Sequence, residues 1–261
     1  MGSRPQARSK RAAARWSQFE RKGSFMTATT VEQLMLPGQA AAPPGPVDLT
    51  AMYVVHHAFR RDLAAFQAAV MGTPVEDRAT WRALTARWNK FLEILHKHHT
   101  GEDTALWPLL LAKANADGRA TLEAMEGEHA EIDPLLSSCT AGFERLTTYA
   151  DADARDALEV RVVALGEHLA RHLAHEERDA LVLVQRYLVQ DDWNRLENEH
   201  FKPAHGPRDL PFLAAWVLYQ LPDEHLAQVR DSMAGRPMEL VWRLFWRRPF
   251  ERRERIAFRY A

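Results

Sequence analysis

Residues 88–109 read WNKFLEILHKHHTGEDTALWPL, and this stretch decides the fold. Its apolar positions, Trp88, Phe91, Leu95 and then Leu106 or Leu109, step at the spacing of a helix with one buried face. On that same face, beyond Leu95, stand His98 and Glu102. Four residues apart, they sit about 6 Å from one another along one side of a helix. A carboxylate aimed at a core is costly unless something takes its lone pairs.

The pattern recurs on either side. Upstream, Met52, Phe59, Leu63, Phe66 and Val70 form an apolar stripe, and the seam position between Met52 and Phe59 is His56. Downstream, Leu122, Met125, Ile132 and Leu136 share a face with His129. A fourth stripe runs through Leu158 and Leu165, then His172 and Glu176, then Asp179 or Leu183, repeating the His-to-carboxylate spacing of four. The helices are expected over about 48–70, 76–113, 119–149 and 154–189, with Pro134 kinking the third. Between residues 47 and 202 the only prolines are Pro74, Pro108 and Pro134. Four long amphipathic helices with short connections predict an all-α fold, an up-down-up-down four-helix bundle.

Each of the four helices thus points a histidine inward, and two add a carboxylate one turn later. A bound metal resolves the burial cost. Imidazole with carboxylate suits iron, manganese or zinc, and the absence of thiolate disfavours Cu(I). Six ligands, His56, His98, Glu102, His129, His172 and Glu176, fit two ions better than one. Carboxylates from facing helices can bridge the ions while histidines cap each end. Ferritin-like bundles follow similar logic but use Glu-x-x-His, a different spacing. His57, His96, His99, His168 and His175 lie on the flanks, as solvated, supporting or gating residues. Among them His99 and His168 are the best reserve ligands.

Four segments carry a family resemblance: HHAFRRDL at 56–63, HHTGED at 98–103, EHAEI at 128–132 and HLAHEE at 172–177. Together they resemble the hemerythrin-like, HHE cation-binding family over about residues 48–188. The resemblance implies a non-haem di-iron centre, oxo-bridged in one form, in which His56 and His98 serve one iron, His129 and His172 the other, and Glu102 and Glu176 bridge. Two departures stand out. The oxygen-carrying members have a further third-helix histidine four residues from its partner, and here Met125 and Asp133 flank His129 at that spacing. Their last helix also uses a longer His-to-carboxylate spacing than His172 to Glu176. One iron is therefore left short of a histidine, with His168, His99, Asp133 or water to fill in.

Outside the bundle the character changes. Residues 1–25 hold seven basic residues and one acid, and the first 46 residues hold five prolines, so 1–46 is expected to be disordered, basic and proline-rich. Residues 190–261 bring back six prolines among Trp, Phe and Arg, and are expected to form a C-terminal extension of short helices packed on the bundle. The basic and aromatic end, from Arg243 to Tyr260, is read as an amphipathic helix; it makes no strong case for nucleic acid or membrane.

The whole chain has 261 residues, 46% hydrophobic and 26% charged, with net charge −1, the proportions of a folded soluble protein. One cysteine, Cys139, excludes an internal disulfide framework and any cysteine-based metal cluster. The chain shows no membrane-length apolar run and its start has no signal-peptide core, so a cytoplasmic location is expected. Phosphate-binding glycine loops and serine-nucleophile motifs are absent. The leading expectation is a di-iron protein that binds O2 or a related small ligand, NO or peroxide, for sensing, storage or redox response. The alternatives are a di-iron oxidase or peroxide-decomposing enzyme, and a metal-stabilised regulatory protein whose partner is unknown.

Overall fold

A computed structural model of the chain describes residues 30–233 and 239–261. Four long helices form the frame: α1 (Thr50–Gly72), α2 (Arg78–Gly101), then after a short α3 (Trp107–Leu111) the long α4 (Ala116–Thr148) and α5 (Ala152–His175). They run up, down, up and down, each packed against its chain neighbour, and α5 closes the ring against α1. Caps fix the starts: Asp77, Asn115 and Asp151 accept the backbone N–H of Thr80, Gly118 and Ala154. Such a cap contributes about 1 kcal/mol. Among the described residues there is no strand, only one antiparallel bridge between Val31 and Gly45. No helix among them is long and apolar enough to cross a membrane.

The expected second and fourth helices are each interrupted by one π-helical turn, Glu102–Leu106 and Glu176–Ala180. The helix resumes as α3 in the first case and as α6 (Leu181–Tyr187) in the second. A π turn closes i→i+5 bonds and so widens the helix by one residue, a feature found most often at functional sites. It also settles the seam beyond each carboxylate: Leu106 and Leu183 are buried, Leu109 is half-buried and Asp179 is exposed. Helix α4 continues through Pro134 without a break.

An aromatic cluster fills part of the core. Phe66 meets Trp88, Phe91 and Phe143 edge-on at 5.2–5.8 Å between centroids, and Trp88 lies over Phe143 at 4.9 Å. All four are fully buried. Each contributes about 1.5–3 kcal/mol of apolar burial. His56 and Phe66 share α1, so this cluster forms a dry floor under the polar centre.

The N-terminal expectation is corrected in part. Residues 1–29 lie outside the described residues. Residues 30–46 are not loose: Leu34 and Leu36 are buried, and Gln33 donates to Val47 O and accepts from Leu49 N. The segment turns at Pro37 and Gly38 and folds back so that Val31 N donates to Gly45 O, and the two leucines provide the apolar anchor that composition alone hides.

The C-terminal stretch forms α7 (Gln190–Leu196), α8 (Leu210–Leu218), α9 (Asp223–Met233) and α10 (Arg247–Ala257). On α10, Phe250, Glu254 and Ala257 face inward, while Arg248, Arg252 and Arg253 stay exposed. Phe258 reaches Phe66 at 5.1 Å. A buried charge network fastens this layer. Arg87 bridges Asp62 and Glu254, Trp216 donates to Asp62 at 2.7 Å, and Arg61 grips Asp62 together with the carbonyls of Trp216 and Tyr219.

Candidate metal centre

The antiparallel course of α1 and α2 brings the N-terminal half of the first beside the C-terminal end of the second, and α4 and α5 complete the circle. The six sequence-predicted side chains meet at that level. They fall into two groups whose donor atoms lie within 4.8 Å of one another: His56, His98, Glu102 and Glu176, and His99, His129 and His172. His99 is the addition. Its ring stacks on His129 at 3.9 Å and 11°, and stands edge-on to His172 at 5.4 Å. His168 and Asp133 belong to neither group, and His96 is exposed.

Most polar atoms at the centre have no hydrogen-bond partner. Among the described residues, Nε2 of His56, His98 and His99 and both carboxylate oxygens of Glu102 and Glu176 are buried without a hydrogen bond. Several are close yet misaligned: His56 Nε2 lies 3.3 Å from Glu176, and His98 Nε2 lies 3.1 Å from Glu102. His129 Nε2 faces His172 Nε2 at 3.1 Å. A folded core rarely leaves such groups unmatched, because each costs about 1–3 kcal/mol. Lone pairs that converge without bonding one another describe a cradle for cations.

Electrostatics divide the donors into proton-holding and neutral or ionised groups. Burial, then the Glu176 carboxylate, pushes Glu102 well above the usual carboxylate range. Burial also opposes charge on Glu176, but His56 outweighs it and holds Glu176 down at about 2. Burial alone would depress His56; Glu176 and Glu177 bring it up to about 9 instead. Burial keeps His98 and His99 well below the ordinary histidine range, with His56 and His129 respectively adding to the effect. The latter two rings are therefore neutral and can offer a lone pair.

Behind the centre stands a ring of carboxylates that sequence reasoning missed. Asp103 takes Nδ1 of His129 at 2.8 Å, Glu128 takes Nδ1 of His172 at 2.8 Å, and Glu177 takes Nδ1 of His56 at 3.0 Å. Each bond puts a ring proton on Nδ1 and aims Nε2 inward, the usual support of a metal-binding imidazole. Glu128 also holds His175 at 2.7 Å, and Glu177 is itself gripped by both guanidinium nitrogens of Arg60 and by Ala40 N. The signal was available in the chain order: Asp103 follows Glu102, Glu177 follows Glu176, and Glu128 precedes His129. The two tandem acids open the two π turns.

Gly101 shows how tightly the extension sits here: a Cβ on it would come within 2.6 Å of the Phe201 ring. Only a residue without a side chain lets Phe201 approach beside Glu102.

A four-helix bundle with two clusters of inward histidines and carboxylates defines a cation-binding helical protein. Residues 47–184, more than half of the chain, match the hemerythrin HHE cation-binding domain, and the chain belongs to that family. No curated protein and no solved structure matches the chain closely enough to count as a relative.

Proposed function

We propose that this is a non-haem di-iron protein that binds O2 or a related small ligand, NO or peroxide, inside the bundle, in the cytoplasm, for sensing, storage or redox response. The observation that carries the reading is the set of seven buried, unpartnered donor atoms on His56, His98, His99, Glu102 and Glu176. His56 and His98 would hold one ion and His99, His129 and His172 the other, with Glu102 and Glu176 between them. His99 supplies the histidine that the third helix lacks. Mixed imidazole and carboxylate donors suit iron, manganese or zinc, and the family resemblance favours iron among them. When bound, an iron pair supplies reversible redox chemistry and a Lewis-acid site for a small ligand.

The chain's own residues prepare that site. Asp103, Glu128 and Glu177 fix three imidazoles in one tautomer. Phe59, whose ring lies 5.4 Å from that of His98, and the aromatic floor keep bulk water away from one side. If both carboxylates bridge, the ion on the His99 side has five protein donors and the ion on the His56 side has four. That inequality favours an open position beside His98, and it supports the second reading, a di-iron oxidase or peroxide-decomposing enzyme.

Elemental analysis of protein purified without added metal, with an absorption spectrum in air, tests the proposal. About two irons per chain are expected for a paired carboxylate-bridged site. Zinc alone, or no metal, overturns it. Steady consumption of peroxide by the iron-loaded protein decides for the enzyme.

A further inference from the structure

Between the bundle and the C-terminal layer lies a cavity of about 840 Å³. Its inner end is walled by Met52 and Val55 of α1, Ile94 and His98 of α2, and Trp216 and Val217 of α8. This end is fixed: Trp216 is fully buried, bonded to Asp62, and 5.3 Å from Phe59. The outer wall comes from α7, α8 and the segment between them, all beyond the residues that match the family. The cavity is therefore a property of this chain's extension.

Two observations relate it to the metal centre. His98 is the one member of its donor group with residual exposure, 8%, against 0% for His56, Glu102 and Glu176. His98 is also the one member of that group on the cavity wall. The cavity thus ends on the side where the protein donors are fewest.

The wall also selects a chemistry. Its lysines are already matched, Lys97 with Glu93 at 2.6 Å and Lys202 with Glu197 at 3.0 Å, and Asp48 accepts a hydrogen bond from Ser232 at 2.7 Å. An anionic ligand would find no spare counter-charge on these lysines and would lose its hydration. The inner surface is aliphatic and aromatic, and the volume falls in the range of about 300–1,000 Å³ that encloses an organic molecule. O2, NO or peroxide alone needs far less room.

We propose that this chamber binds a neutral, apolar organic molecule with one end against His98. The placement beside a metal ligand rests on the di-iron reading; the chamber itself does not.

The test uses N-phenyl-1-naphthylamine, a neutral dye that brightens in apolar surroundings, with the full-length protein. Wild type is expected to bind it, and dodecan-1-ol should displace it at least tenfold more effectively than dodecanoate. Ala51→Phe on α1 and Ala214→Phe on α8 fill the cavity from opposite walls without touching the donor groups. Each should weaken dye binding at least tenfold while metal content and the circular dichroism spectrum stay at wild-type values. In cobalt-loaded protein, dodecan-1-ol should shift the visible absorption. No dye binding by wild type, or undiminished binding in both filled variants, overturns the chamber. Dye binding with an unmoved cobalt spectrum overturns the placement against His98. Loss of dye binding in the filled variants of a protein that takes up no metal supports the chamber and overturns the di-iron reading alone.

Discussion

Glu177 Oε1 lies 3.0 Å from His56 Nδ1, across 121 positions of sequence. The same carboxylate takes a two-pronged grip from Arg60 and the backbone N–H of Ala40, so one side chain ties α1, the second π turn and the N-terminal segment together. It does this one residue from Glu176, whose own oxygens have no hydrogen bond and face His56 from the other side. Adjacent acids thus divide the labour: one is left open for a cation, the other aims the histidine.

Glu177→Gln keeps the shape and removes the charge that holds the Nδ1 proton. Metal affinity is expected to fall by about 10–100-fold, the usual cost of losing such a support. Competition against a chromophoric chelator reads the affinity directly. Unchanged affinity would mean that Glu177 serves only Arg60 and Ala40.

The donor groups predict a graded series. On the proposed di-iron reading, His99→Ala or His129→Ala should lower metal content from about two ions per chain to about one, and the Glu102→Ala, Glu176→Ala double variant should abolish it, because the two carboxylates would be shared by both ions. His57→Ala and His96→Ala should retain full metal. Elemental analysis of each purified variant decides. A full complement in the double variant would remove the carboxylates from the site.

The network that fastens the extension gives a pH dependence. Burial opposes charge on Asp62, but Arg87 and Arg61 outweigh it and hold the carboxyl below its usual range. A depressed folded pKa stabilises the fold fully above the unfolded value of about 3.9, and the contribution is lost as pH falls through the folded value. Glu254 works the other way, since burial leaves it above its usual range despite Arg87. Asp62→Asn leaves Arg87 with Glu254 as its remaining anionic partner and should cost about 3 kcal/mol near neutrality. The gap from wild type should narrow below about pH 4. Urea unfolding at a series of pH values measures it, and a gap independent of pH would refute the ion-pair account.

Cys139 is fully buried, and burial pushes its thiol up to about 12. Thiol reagents attack the thiolate, so the native protein should react roughly 100-fold or more slowly than free cysteine at pH 8. Denaturant should restore the ordinary rate. Fast reaction of the folded protein would show that α4 opens locally.

Much of the bundle was legible because helical periodicity is a local property. Met52, His56, Phe59, Leu63 and Phe66 share a face whatever they pack against, and all are buried. The π turns were not legible, since no residue type compels one: Glu102–Leu106 and Glu176–Ala180 read as ordinary helix. The three supporting acids were passed over because neighbouring positions point to different sides of a helix, and only the adjoining helix shows what the second acid meets. Residues 30–46 were misjudged because proline content reports backbone stiffness and says nothing of what Leu34 and Leu36 find to pack on.

The sequence by itself determined that four helices would each carry a histidine on the apolar stripe, because 3.6 residues per turn dictates which side chains share a face. The tertiary structure decided the rest. Helix rotation and register chose His99 over His168 for the second donor group, and paired three of the imidazoles, His56, His129 and His172, with an acid from a different helix. The packing of residues 190–233 and 239–261 over α1 and α2 placed a chamber against His98. These relationships join residues far apart in the chain, and their distances depend on how whole helices pack.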